Sequence, residues 1–140
     1  MITQTILQPV VALLTLNFVV FFWMYATRLP AISKLGIAMD PTVPMADLMA
    51  KLPANVRWKA DNYNHLLEQP TLFYAVALTL AMLGAGTELN TTLAWAYVGL
   101  RLAHTLIQTL WNKIEVRFAV FFLSSLVLAA LVFQAASLVF

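Results

Sequence analysis

The 140-residue sequence has no cysteine, only four glycines and very little charge: eight Lys or Arg and six Asp or Glu, 10% of the chain. Without cysteine there is no disulfide framework of the kind that staples small secreted scaffolds. A soluble domain normally carries about a quarter of its residues charged, so this scarcity excludes a soluble enzyme. The 62% hydrophobic content excludes a disordered chain. A formal net charge of +2 reports a few cations in connections rather than a basic patch, which excludes a nucleic-acid binder.

What the chain does have is long uncharged stretches. Residues 1–27, 69–87 and 118–140 carry no charge, and 89–112 carry only Arg101. Runs of about 20 apolar residues match the hydrocarbon thickness of a bilayer. The pattern predicts an all-α integral membrane four-helix bundle, one domain over 1–140. Its spans fall at about 6–27, 66–85, 92–111 and 116–139, with one sizeable connection at 28–65. The first stretch lacks a positive n-region and is longer than a signal peptide's apolar core, so it reads as a retained helix.

Orientation follows from the cations. Arg28, Lys34, Lys51, Arg57 and Lys59 lie between spans one and two, and Lys113 and Arg117 lie at the turn between spans three and four. The turn at 84–91 and both termini have none. The positive-inside rule then makes both basic connections cytoplasmic and puts the N- and C-termini on the opposite side. Trp23, Tyr25, Trp95, Tyr97 and Trp111 sit near span ends and read as interfacial anchors. Pro30, Pro41, Pro44 and Pro53 should break the 28–65 connection into a compact cytoplasmic loop with a short helix near 45–52. Pro53 can open a helix that runs on into span two, where Pro70 should kink it.

Polar groups inside a span are costly, so their placement carries the functional information. In span three, Tyr97, Arg101, His104, Gln108 and Asn112 are spaced 4, 3, 4 and 4, one narrow helical face. In the helix entering span two, Arg57, Asp61, Asn64, His65 and Glu68 form a second stripe. The two should meet each other, or a neighbour across a water-filled cleft. Counting ~1.5 Å per residue from the 84–91 turn puts Glu68 level with Gln108, near the cytoplasmic side, with His104 and Arg101 deeper. Arg117 lies at the rim. Plainer roles exist for each: a Glu68–Arg101 ion pair fixing helix register, His104 as an interhelical hydrogen-bonding group, Arg117 and Lys113 as topology determinants, Ser125 and Ala129 as small-residue packing. No zinc-ligand spacing, phosphate-cradling glycine loop or Ser–His–Asp arrangement is visible, so no metal is expected.

The segment DNYNHLLEQPTLFYA at 61–75, followed by YVGLRLAHTLIQTLWNKIEVRF at 97–118, resembles the MAPEG family, the membrane-associated proteins in eicosanoid and glutathione metabolism, in a bacterial-type member. The resemblance rests on Glu68 with its nearby proline and on the spacing of Arg101, His104 and Arg117. It implies a homotrimer of four-helix subunits, with a site between neighbours near the cytoplasmic side, glutathione as co-substrate and a lipophilic small molecule as its electrophile. Arg117 takes the place of the family arginine beside the thiol. A guanidinium there stabilises the thiolate, the nucleophilic form, against a free-thiol pKa of about 8.5. Glu68 matches the family glutamate for the glutathione amino group, and Arg28 matches an arginine of the anionic site. Asn64, His65, Arg101, His104 and Gln108 complete the implied binding set. The sequence departs from the family pattern where Asp61, Asn64 and His65 replace two arginines and an asparagine, and where Gln108 and Phe121 replace tyrosines. A bacterial inner membrane is the expected location. The alternatives are the same fold holding another small or lipid-like ligand without glutathione chemistry, and a non-enzymatic membrane protein.

Overall fold

A computed structural model describes residues 4–140 as six helices, with no strand among them: α1 (Leu7–Leu35), α2 (Met45–Met49), α3 (Ala54–Glu68), α4 (Pro70–Met82), α5 (Glu88–Leu110) and α6 (Ile114–Val139). Helix α1 packs against α3, α4 and α5, and α6 packs against α4 and α5, with α3 also against α5. The inward residues follow one rule. In α1 they are Val10, Leu13, Asn17, Val20 and Met24; in α5, Asn90, Ala94, Tyr97, Arg101, His104 and Gln108; in α6, Ser124, Leu128, Leu131 and Ala135. Steps of 3 and 4 repeated along three long helices are the seam of antiparallel or parallel helices crossing at a shallow angle.

The 28–65 connection holds the expected short helix, α2, and the helix expected to open at Pro53, α3, but Pro30 does not break α1. Helix α1 continues through Pro30 to Leu35 and stops at Gly36, whose left-handed φ of 63° lets Ile37 N–H reach back to the Ile32 carbonyl. Pro44 and Pro53 stand at the N-caps of α2 and α3, where a missing N–H costs nothing. Only residues 36–44 form an extended loop, closed by Asp40, whose carboxylate accepts from Thr42 N–H and hydroxyl. Those two bonds hold the Asp40 carboxyl below the usual carboxylate range.

Pro70 divides α3 from α4 without turning the chain away: Gln69 keeps helical dihedrals of −59° and −38°. The proline ring has no N–H for the Leu66 carbonyl. At the other end Gly84, at φ 67°, ends α4, and Ala85 N–H reaches the Leu80 carbonyl at 2.8 Å. Thr87 then caps α5 by accepting from Asn90 N–H.

The exterior is largely apolar, and several polar side chains lie inside the apolar core. Arg101, His104, Gln108, Asn62 and Asn90 are buried, whereas Phe18, Phe22, Phe118, Phe122, Phe133 and Leu126 face outward. Helices α1 and α6 are long and apolar enough to cross a membrane, and only 28% and 17% of their apolar windows are buried. The core helix of a soluble protein would bury most of such a window. A largely unburied apolar exterior over a polar interior suits lipid as the solvent.

Candidate functional site

The α5 stripe faces inward as its spacing predicts: Tyr97, Arg101, His104 and Gln108 are all essentially fully buried. Tyr97 is therefore a core residue and not an interfacial anchor. Its ring stacks on Phe73 at 4.6 Å, and its hydroxyl donates to Gln69 Oε1 at 3.2 Å. Gln69 Nε2 in turn donates to the Ser125 hydroxyl at 2.8 Å. One amide at the proline break thus ties α5 to α6. Ser125, which reads from sequence as packing, is a partner in this network, while Ala129 is exposed. Gln69 is missing from the sequence-derived site; its position next to Pro70 was the available signal, because a break in a helix is where a side chain can turn between neighbours.

The expected Glu68–Arg101 ion pair does not form. Arg101 donates Nη2 to the His65 carbonyl at 3.2 Å, and its Nε and Nη1 have no partner among the described residues. The Glu68 side chain is 70% exposed and lies 4.0 Å from His65 Nδ1. Depth along the helices is consistent with a meeting, but the direction is not. The α3 stripe of Arg57, Asp61, Asn64 and Glu68 points out of the chain, while α3 buries Val56, Lys59, Ala60, Asn62 and Leu66. Burial lowers the Lys59 ammonium pKa; its Nζ donates to the Asn55 carbonyl and lies over the Trp23 ring.

This outward stripe lines a groove in three connected parts. An apolar cavity of about 220 Å³ is lined by Ile114, Phe118 and Phe121 with His65, His104 and Arg117. His65 and Arg117 also border a polar part of about 320 Å³, with Asp61, Asn64, Glu68 and Gln108. Asp61 and Asn64 extend into a third part of about 400 Å³ formed with Arg28, Arg57, Met45 and Met49. Seven of the eight expected site residues, Arg28, Asn64, His65, Glu68, His104, Gln108 and Arg117, line this groove. Arg101 lies behind it and is hydrogen-bonded to the His65 carbonyl.

Arg117 is held at the junction of the apolar and polar parts. Its Nη1 donates to Asn112 Oδ1. Asn112 occupies the left-handed region, φ 54°, in the turn from α5 to α6, a conformation that asparagine tolerates better than most residues. The His65 and His104 rings meet edge to face at 5.7 Å beside it. The arrangement offers a fixed cation, two imidazoles and a carboxylate at the boundary between a lipophilic and a charged compartment.

The model of the MAPEG family matches residues 6–137 of the chain. No curated protein and no solved structure matches it.

Proposed function

The chain belongs to the MAPEG family, and from that premise we propose that it is an integral-membrane transferase that joins a glutathione-type thiol to a lipophilic electrophile. The observation that carries this reading is Arg117 at the seam between the apolar cavity and the charged groove. A thiol donor lies along α3, its sulfur at Arg117, and the electrophile enters from the lipid side among Ile114, Phe118 and Phe121. Along α3, Arg57 and His65 differ in height by ~12 Å at ~1.5 Å per residue, room for an extended tripeptide at ~3.4 Å per residue.

In the reaction the thiol proton leaves, with His65 placed to accept it at Nε2 while Nδ1 faces Glu68. The Arg117 guanidinium stabilises the resulting thiolate. The sulfur then forms a bond to the electrophilic carbon, and the leaving group departs with its electron pair. Proximity in a confined groove supplies much of the acceleration. The proposal extends to a four-span bundle with both termini on the non-cytoplasmic side, a homotrimer in which a neighbour covers the outward α3 face, and a bacterial inner membrane.

Detergent-purified protein supplied with glutathione and a chlorinated dinitrobenzene should form the thioether, with chloride released. Arg117→Ala should lower turnover about 10²- to 10³-fold, the scale of removing one aligned charge-stabilising donor. An unchanged rate in that variant sinks the assignment of Arg117. A second reading, the same fold holding a ligand other than glutathione, is favoured by Asp61, an anion in the very groove that would receive a tripeptide's carboxylates.

A further inference from the structure

The groove has an uneven charge pattern along its length. Arg28 and Arg57 stand at one end, Arg117 stands at the other, and Asp61 and Glu68 lie between them, ~10 Å apart along α3. The carboxylates are not used up by the chain itself. Among the described residues the one ion pair is His65 with Glu68, at the 4.0 Å limit, and Asp61 has none. A buried acceptor lines the same part: Gln108 is 1% exposed, and its Oε1 has no hydrogen-bond partner among the described residues. Two carboxylates and an amide oxygen are acceptors only, and the ligand group that matches several acceptors at once is an ammonium, with three donors and no acceptor.

Setting Arg117 aside for the sulfur, the groove presents two cations and two anions. Glutathione offers two carboxylates and a single ammonium, so one anion of the groove, Asp61, would face either nothing or a ligand carboxylate. We propose that the thiol donor of this protein carries more amine than glutathione does: a peptide thiol with one carboxylate converted to an amine-bearing amide, its added ammonium held by Asp61. This rests on the thiol-transfer reading and names the class of thiol it uses. Arg28 and Arg57 hold the glycyl carboxylate, Glu68 and Gln108 the α-ammonium, and Asp61, between them, selects by direct repulsion against the α-carboxylate that the amine-bearing amide replaces.

The test compares three peptides by calorimetry with the full chain in detergent: glutathione, its γ-glutamyl α-carboxamide, and the α-amide with a short diamine. The same three are run as S-methyl derivatives, which keep the charges and remove the thiol. The diamine conjugate should bind about tenfold tighter than glutathione, with the simple amide between, and the order should be the same for the S-methyl set. Asp61→Asn should flatten the series and Asp61→Arg should invert it; the side chain is exposed, so neither change threatens folding. Glutathione binding as tightly as its conjugates, or a series indifferent to Asp61, overturns the proposal and leaves thiol transfer standing. The expected order of binding without any thioether formed from the thiol peptides overturns thiol transfer instead. Binding by none of the six overturns both.

Discussion

Among the described residues Arg101 is the largest fully buried side chain, and it has a single hydrogen bond with them, to the His65 carbonyl. A buried cation without a carboxylate stabilises little by charge, and what it does supply is volume and one contact at the proline break. Arg101→Met keeps most of the volume without the charge and should change stability by less than about 1.5 kcal/mol. Arg101→Ala opens a cavity and should cost about 2–4 kcal/mol. Thermal unfolding in detergent checks this; equal losses in both variants would mean that the charge itself is needed. Gln69 is the opposite case, since both ends of its amide are engaged. Gln69→Leu strands the Tyr97 hydroxyl in the core and should cost about 1–3 kcal/mol, seen as a lower unfolding midpoint.

At the scale of elements, the proline between α3 and α4 separates a helix that carries the charged stripe from an apolar one whose inner face, Phe73, Val76, Ala77 and Leu80, joins the core. Pro70→Ala restores an N–H for the Leu66 carbonyl and favours one straight helix. Helix content by circular dichroism should hold or rise while thiol binding falls at least tenfold, because Glu68, His65 and Gln69 rotate relative to α5. Retained binding in a more helical variant would show that the break does not set the groove. The elements also show what periodicity can and cannot reveal. Which residues share a face was legible for both stripes, because 100° per residue is a property of the helix itself. The inward direction of the α5 face was legible too, since Tyr97, Arg101, His104 and Gln108 alternate with outward Leu102, Leu106 and Leu110. The outward direction of the α3 face was not, because Val56, Ala60 and Leu66 opposite it are no more apolar than a lipid-facing surface. Among the prolines of the connection, Pro53 opens a helix as its position suggests, whereas Pro30 does not break α1, which runs on to Leu35.

At the scale of the whole molecule, the groove is bordered by arginines from three helices, α1, α3 and α6. Arg28 lies two turns before the end of α1, Arg57 in the first turn of α3 and Arg117 in the first turn of α6, and they line pockets that share His65, Arg117, Asp61 and Asn64. The opposite end, with Gly84, Thr87 and the α6 C-terminus, has no Lys or Arg. By the positive-inside rule such an asymmetry over a largely apolar exterior predicts an orientation across a bilayer, because translocating each cation is unfavourable and short connections follow their Lys and Arg count. The orientation is open to a clean measurement, since the chain has no cysteine to label. Lys51→Cys, exposed beside α2, and Ser137→Cys, exposed in the last turn of α6, each provide a single thiol. In sealed inverted vesicles, an impermeant maleimide should label Cys at 51 and leave Cys at 137 unmodified until detergent is added. In intact spheroplasts the pattern should reverse. Labelling of both positions from one face would place the two ends of the bundle on the same side. The proposed cytoplasmic placement of the arginine-lined groove would then fail.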